Sequence, residues 1–227
     1  MTQNVYDDPT FFAGYSQLLR SREGLGGAPE WPTLRAMLPD LAGRKVVDLG
    51  CGFGWFCRYA REAGAAEVLG LDVSQKMLAR AREMTTDAAI RYREADLDRL
   101  TLPAAAFDVA FSSLTLHYLE HLAALFAQVH EALVPGGRFV FSAEHPLYTE
   151  TGPDYLDEGP RSTDWLAKGV VKQHRTLATY LNLLIESGFT VGHVEEWGPT
   201  RAEIAAHPEW KVEGRRPYFL LVSAVAG

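Results

Sequence analysis

The stretch Lys45-Val-Val-Asp-Leu-Gly-Cys-Gly-Phe-Gly-Trp55 constrains this chain more than any other, because an apolar run passes directly into a turn with glycine at every second position. Val46 and Val47 supply the β-branched bulk of a strand buried in a parallel sheet. Gly50, Gly52 and Gly54 permit positive φ and let backbone N–H groups approach a bound molecule where a Cβ would intrude. Strand, glycine turn and helix in that order form a cradle for a nucleotide-type cofactor. A dinucleotide fingerprint reads G-x-G-x-x-G, its third glycine bringing the helix N-terminus against a pyrophosphate. Here Trp55 takes that place and the pattern is D-x-G-x-G-x-G. Asp48, two residues before the first glycine, would repel a pyrophosphate and attract a cation. Alone, the turn leaves three readings open: a cofactor carrying positive charge, a dehydrogenase dinucleotide, or a structural tight turn.

S-adenosylmethionine carries an ammonium and a sulfonium. In this motif the chain resembles the class I S-adenosylmethionine-dependent methyltransferases, in particular the small-molecule, ubiquinone/menaquinone-biosynthesis-like methyltransferase domain, and the resemblance runs through about Ala143. It implies that Asp48, Gly50, Cys51, Gly52 and Gly54 hold the cofactor, with S-adenosyl-L-homocysteine as product. Glu67-Val-Leu-Gly-Leu-Asp72 reads as a second strand whose terminal acid can accept both ribose hydroxyls; alternatively Asp72 or Ser74 merely starts the helix Gln75 to Glu83. Ile90-Arg-Tyr-Arg-Glu-Ala-Asp96-Leu97 looks like a third strand whose acid meets the adenine amino group in the family, or else Asp96 is a solvated loop acid beside Asp98. Val73, Met77 and Leu97 join the implied cofactor contacts. Phe107 to Ser113 is an apolar fourth strand ending in Ser112 and Ser113, where the cofactor should lie. In Leu114-Thr-Leu-His117-Tyr-Leu the resemblance places His117 beside the methionine part of the cofactor; the alternative is a histidine packed on Leu114 and Tyr118. Apolar spacing predicts a helix from Leu122 to Leu133, ended by Val134-Pro-Gly-Gly137 ahead of a strand from Arg138 to Ala143.

The remaining chain suits the family's closing elements. A helix from Thr176 to Ser187, a strand from Phe189 to Trp197, a short helix from Arg201 to Ala206 and an apolar strand from Tyr218 to Val225 are expected. The fold class is α/β: a three-layer, Rossmann-like, seven-stranded and mostly parallel sheet with an antiparallel last strand and helices on both faces. The resemblance implies the strand order 3-2-1-4-5-7-6. One domain over 1–227 is expected, with capping helices in 1–42 and a lid or substrate-binding insertion in 145–175. The capping helices read as Thr10 to Arg22 and Thr33 to Leu41, and Tyr15 either covers the substrate or belongs to a buried amphipathic stripe.

The insertion is rich in Pro, Gly, Asp and aromatics, shows little periodicity, and follows a parallel strand at the edge where open α/β sheets bind ligands. His145, Tyr148, Trp165, His174 and Arg175 are its candidate substrate contacts. His145 would act as a proton acceptor or instead fix the turn before Pro146, and Arg175 would anchor a substrate carboxylate or pair with a nearby acid. His145 and His117 are the catalytic candidates.

A chain of 227 residues with 47% hydrophobic and 22% charged content is ordinary for a soluble globular domain. Its net charge of -7 and pI near 5.5 argue against a nucleic-acid substrate, and Arg58/Arg61 and Arg80/Arg82 sit at spacings of solvated helix faces. A small-molecule acceptor is therefore expected. With no signal-peptide pattern and no long apolar run, the expected location is cytoplasmic, away from membranes. Cys51 and Cys57 read as reduced thiols without a metal. A nicotinamide-dependent reductase lacks its third glycine and its hydride-transfer residues here, while a noncatalytic cofactor-binding protein on the same fold stays open. No motif assigns the acceptor or the oligomeric state.

Overall fold

The computed structural model describes residues 3–147, 155–206 and 216–227. Its elements, in chain order, are α1 (Pro9–Ser16), α2 (Leu19–Arg22), α3 (Trp31–Ala36), β1 (Lys45–Leu49), α4 (Trp55–Glu62), β2 (Glu67–Asp72), α5 (Gln75–Glu83), β3 (Ile90–Glu94), β4 (Phe107–Ser113), α6 (Leu122–Ala132), β5 (Leu133–Glu144), β6 (Gly159–Trp165), β7 (Ala167–His174), α7 (Leu177–Glu186), β8 (Phe189–Trp197), α8 (Arg201–Ala206) and β9 (Phe219–Ala226). Seven strands form one sheet in the order β3-β2-β1-β4-β5-β9-β8, with β9 antiparallel to both its neighbours. With β6 and β7 set apart as a separate two-stranded sheet, this is the strand order that the sequence resemblance implied.

Alternation along the strands makes the three layers. Val46 packs with Leu34, Phe56, Cys57, Ala60 and Leu78 from α3, α4 and α5, whereas Val47 and Leu49 pack with Leu125, Phe126, Tyr180 and Leu184 from α6 and α7. Burial on both sides explains why β1 and β4 are nearly continuous apolar runs. The order runs outward from β1 to β3 on one side and from β4 to β5 on the other, so β1 and β4 flank the point where chain direction across the sheet reverses. Ligands in open α/β sheets bind in the crevice beyond the strand ends at that point.

Four segments depart from expectation. The first helix stops at Ser16, and Leu18 is extended before α2 begins; Ser16 Oγ donates back to the Phe12 carbonyl at 2.7 Å, a contact that bends helices. α3 spans Trp31–Ala36 rather than Thr33 to Leu41. The strand expected from Arg138 begins at Leu133, which pairs with Phe107 before Val109 resumes with Arg138, so the Pro-Gly-Gly segment is an irregularity inside β5. The insertion expected to lack regular structure contains the hairpin β6–β7, turned at Leu166 with φ 58°. Along β7, Val170, Lys172 and His174 are buried in strict alternation.

Candidate cofactor and acceptor site

A cavity of about 360 Å³ lies at the C-terminal ends of the parallel strands. Gly50 and Gly52 line it after β1, Asp72 at the end of β2 with Val73 and Met77 beyond it, Leu97 after β3, Ser113 at the end of β4 with His117 beyond it, and Glu144 at the end of β5. Tyr15 of α1 and Trp165 of β6 also line it, together with Gln3, Tyr6, Tyr118 and Phe219. A smaller cavity of about 90 Å³ adjoins it, sharing Tyr15, Arg20, Gly50, Gly52 and Ser113 and adding Asp48, Cys51 and Phe53.

The glycines of the turn have different jobs. Gly50 has φ 81° and a Cβ there would strike the Thr115 side chain; Gly54 has φ 70°, stands before α4, and a Cβ there would strike the Tyr92 ring. Gly52 has φ 52° and an added Cβ would meet nothing within 4 Å. Its left-handed backbone next to open cavity space is a cradle for a ligand.

Asp72 ends β2 with its side chain 9% exposed. Its Oδ2 accepts from Gly52 N at 2.8 Å and its Oδ1 from Ser74 N at 2.9 Å, which ties the glycine turn to the strand end. Helix capping falls to Ser74, whose Oγ accepts from Met77 N at 3.1 Å. Burial pushes the Asp72 carboxyl up to about 6, against the two backbone hydrogen bonds. Asp48 is 2% exposed, and among the described residues its hydrogen bond comes from the Cys57 thiol at 3.2 Å. Burial pushes Asp48 up to about 7 and the Cys51 thiol up to about 11, so neither thiol is poised as a nucleophile. A buried carboxylate supported by one thiol suits a cationic ligand group. Together with the open space at Gly52, these residues fit S-adenosylmethionine.

Asp96 stays outside the cavity lining, half-buried after β3, where its Oδ1 accepts from Asp98 N at 3.1 Å. Asp98 in turn accepts from His121 N at 2.9 Å at the start of α6, a structural duty. Ser112 is fully buried and donates to the Leu49 carbonyl at 2.8 Å, holding β4 to β1, so the cavity receives Ser113 but not Ser112.

His117 lies 2% exposed in the cavity wall; its Nδ1 accepts from the Glu144 backbone N–H at 3.3 Å, and burial lowers its pKa to about 4. It is neutral at ordinary pH. His145 does not line the cavity. Its Nε2 pairs with Glu196 Oε1 of β8 at 2.8 Å and its Nδ1 accepts from Leu147 N at 3.1 Å, contacts that tie it to β8 and to the turn after β5. His174 Nε2 bonds the Tyr155 carbonyl at 2.8 Å, and Arg175 donates to the carbonyls of Leu119 at 2.5 Å and Glu120 at 3.1 Å. Both sit at the base of the hairpin, and neither is among the residues that line the cavity. Tyr148 lies outside the described residues.

Cavity residues that the sequence pattern did not mark include Tyr6, Arg20 and Glu144. Tyr6 packs edge-on against Tyr15 and Tyr118, and burial raises its hydroxyl well above the usual tyrosine range. Arg20 borders both cavities and pairs with the buried Glu30 at 2.9 Å.

Residues 47–141 match a family model described as a methyltransferase domain. A crystal structure of an S-adenosylmethionine-dependent methyltransferase from Mesorhizobium loti is 60% identical, covers 89% of this chain and 100% of its own, and superposes with a TM-score of 0.83. This chain belongs to the S-adenosylmethionine-dependent methyltransferases. The methyltransferase is also 32% identical over 249 residues to an uncharacterized protein of Haemophilus influenzae, covering 97% of this chain and 96% of that one. A malonyl-[acyl-carrier protein] O-methyltransferase of Pectobacterium atrosepticum is 38% identical over 109 residues, spanning 48% of this chain and 42% of its own length. The methyltransferase's cofactor is S-adenosylmethionine, and among the described residues no helix is long and apolar enough to cross a membrane.

Proposed function

We propose that this methyltransferase modifies a small organic molecule at an oxygen, nitrogen or carbon nucleophile. The observation that carries the reading is the cavity itself: its volume suits a small molecule, and its walls combine Tyr6, Tyr15, Tyr118 and Trp165 with a few polar groups beside the glycine turn. When bound, the cofactor supplies an electrophilic methyl group on a sulfonium, open to in-line displacement. Asp72 is the acceptor for ribose hydroxyls, Asp48 faces the ammonium end, and Val73, Met77 and Leu97 supply apolar contact. Ser113 and His117 stand on the reacting side. The aromatic residues orient the acceptor and exclude water. Alignment of two reacting groups accounts for roughly 7–11 kcal/mol of a barrier, so the site needs no covalent catalyst.

The domain division follows the same logic: residues 1–42 cap the cavity and 145–175 form its lid within a single domain. A carrier-bound malonyl group, the substrate named for the Pectobacterium enzyme, is a weaker choice because that match spans under half of either chain. Titration calorimetry with S-adenosylhomocysteine, comparing wild type with Asp72→Asn, tests the cofactor half. Loss of one or two hydrogen bonds to a charged group should weaken binding about ten- to a hundredfold. Equal affinity in both proteins would remove Asp72 from the site. A mass-shift screen for a gain of one methyl group over small molecules and malonyl-carrier protein tests the acceptor half, and turnover of the carrier substrate alone would overturn the small-molecule reading.

A further inference from the structure

At the end of β5, Glu144 lines the cavity with a carboxylate whose two oxygens are held differently. Its Oε1 accepts from Lys172 Nζ at 2.5 Å, and Lys172, 5% exposed, lies with its ammonium 5.3 Å from the Trp165 ring. His117 accepts the Glu144 backbone N–H at Nδ1, which leaves the imidazole proton on Nε2, 4.0 Å from the same Oε1. Oε2 is buried and, among the described residues, makes no hydrogen bond. A carboxylate oxygen only accepts, so what completes it must carry an O–H or N–H. Local charge separates the two. Glu144 and Lys172 cancel, Arg20 is paired with Glu30, and Asp72 is bonded by two backbone N–H groups. A cationic amine would meet the Lys172 ammonium as a near neighbour, whereas an uncharged hydroxyl meets no repulsion. Tyr15, Tyr118 and Trp165 in the cavity wall offer aromatic contact to a flat ring.

We propose that the acceptor is an uncharged aromatic alcohol or phenol that donates its hydroxyl hydrogen to Glu144 Oε2, with Lys172 as the positioning residue that orients the carboxylate through Oε1. This deepens the small-molecule reading and rests on it. The groups facing Glu144 are His117 and Tyr118 after β4, Lys172 on β7, and Arg175 and Tyr180 at the start of α7.

The test uses the full chain saturated with S-adenosylhomocysteine and phenol, anisole and benzylammonium as probes, read by saturation-transfer NMR. Phenol should bind wild type about tenfold tighter than anisole, as expected for one hydrogen bond to a charged group, and also tighter than benzylammonium. Glu144→Gln and Glu144→Leu should lose that preference while S-adenosylhomocysteine affinity by calorimetry stays within twofold. Lys172→Met should lose the preference for phenol over anisole, and Lys172→Arg, which keeps a donor to Oε1, should retain it, with S-adenosylhomocysteine affinity unchanged in both. Equal binding of phenol and anisole, preference for benzylammonium, or a phenol preference that survives in Glu144→Leu overturns the proposal. The comparison within wild type decides the matter even where a variant does not fold. Failure of wild type to bind S-adenosylhomocysteine would strike the cofactor assignment instead, so the two failures are told apart.

Discussion

Replacing either Gly50 or Gly52 with alanine should separate the two reasons a glycine can occupy this turn. At Gly52, φ of 52° places an alanine in the left-handed region, and the new Cβ meets nothing within 4 Å. The stability cost is then the conformational term alone, about 1–2 kcal/mol. For a chain of this length each kcal/mol moves Tm by about 2–4 °C, which gives a fall of about 2–8 °C. At Gly50, φ of 81° carries the same conformational term, but the Cβ also runs into Thr115, with Cγ2 at 2.5 Å and Cβ at 2.7 Å. Overpacking of this kind adds about 1–3 kcal/mol, for a total near 2–5 kcal/mol and a Tm fall of about 4–20 °C. Ligand affinity should follow the opposite order of specificity. The methyl of Gly52→Ala occupies space next to the cavity, so S-adenosylhomocysteine binding should drop at least tenfold in a protein that remains well folded. Thermal unfolding by circular dichroism and calorimetry on the same samples read both quantities. Wild-type affinity in Gly52→Ala, or a Tm fall there as large as that of Gly50→Ala, would refute the assignment of Gly52 to close ligand approach.

Protonation should move binding and stability in opposite directions. Asp48 and Asp72, raised to about 7 and about 6, must be ionised to accept from a ligand, so S-adenosylhomocysteine affinity should fall as pH drops from 8 to 5. Their folded values lie above the unfolded ones, so the stability they contribute in the ligand-free protein is present at low pH and is lost as pH rises through 6 to 7; His117, lowered to about 4, opposes this below pH 6.5. Asp48→Asn should therefore raise Tm at pH 8, the upper limit being about 4 kcal/mol for a shift of roughly three pH units, while weakening the ligand. A lower Tm at pH 8, with the ligand-free protein still folded, would sink that account. Gln3 clasps the hairpin edge, its amide donating to the Gly169 carbonyl at 3.1 Å and accepting from Val171 N at 2.9 Å. Gln3→Ala should accelerate hydrogen exchange at the Val171 amide, and unchanged protection there would show that the clasp does not hold in solution.

The order of elements was legible because each central strand is apolar on both faces and each following helix starts at a marked position; α5, β4, β8 and α8 fall where the pattern placed them. The hairpin escaped because its inward set mixes Val170 with Lys172 and His174, so burial alternates without hydrophobicity alternating. Glu144 escaped for a related reason. As the last residue of an apolar strand it reads as a solvated end, and its partner Lys172 lies 28 residues away in sequence. The reading settled on its neighbour, yet successive side chains of extended backbone point to opposite sides. Once Glu144 faces the cavity, His145 must face away, and it meets Glu196 there. Ser112 and Ser113 divide in the same manner, one into the sheet and one into the cavity. Parity along the strand, not residue chemistry, was the signal available.

The cavity draws on two kinds of sequence. Residues within the matched 47–141 segment supply the glycine turn, Asp72, Met77, Leu97, Ser113 and His117, the side that the cofactor requires. Tyr6, Tyr15, Arg20, Glu144, Trp165 and Phe219 all lie outside that segment. Those outer residues come from the N-terminal arm, the end of β5, the hairpin and β9, elements whose connections leave the sheet at its C-terminal edge and are free to change without disturbing strand pairing. Asp7 of the arm nevertheless fastens the two halves together: its Oδ1 accepts from Ser74 Oγ at 2.6 Å and from Lys76 N at 3.1 Å, at the start of the helix that follows Asp72. Burial would raise its carboxyl, but these hydrogen bonds outweigh that and lower it, so the fastening persists into acid. An arm anchored on the cofactor side and a hairpin clasped to that arm by Gln3 make closure of the acceptor side depend on order at the cofactor side. Acceptor selection can then vary through a handful of side chains while the methyl-donor site stays fixed.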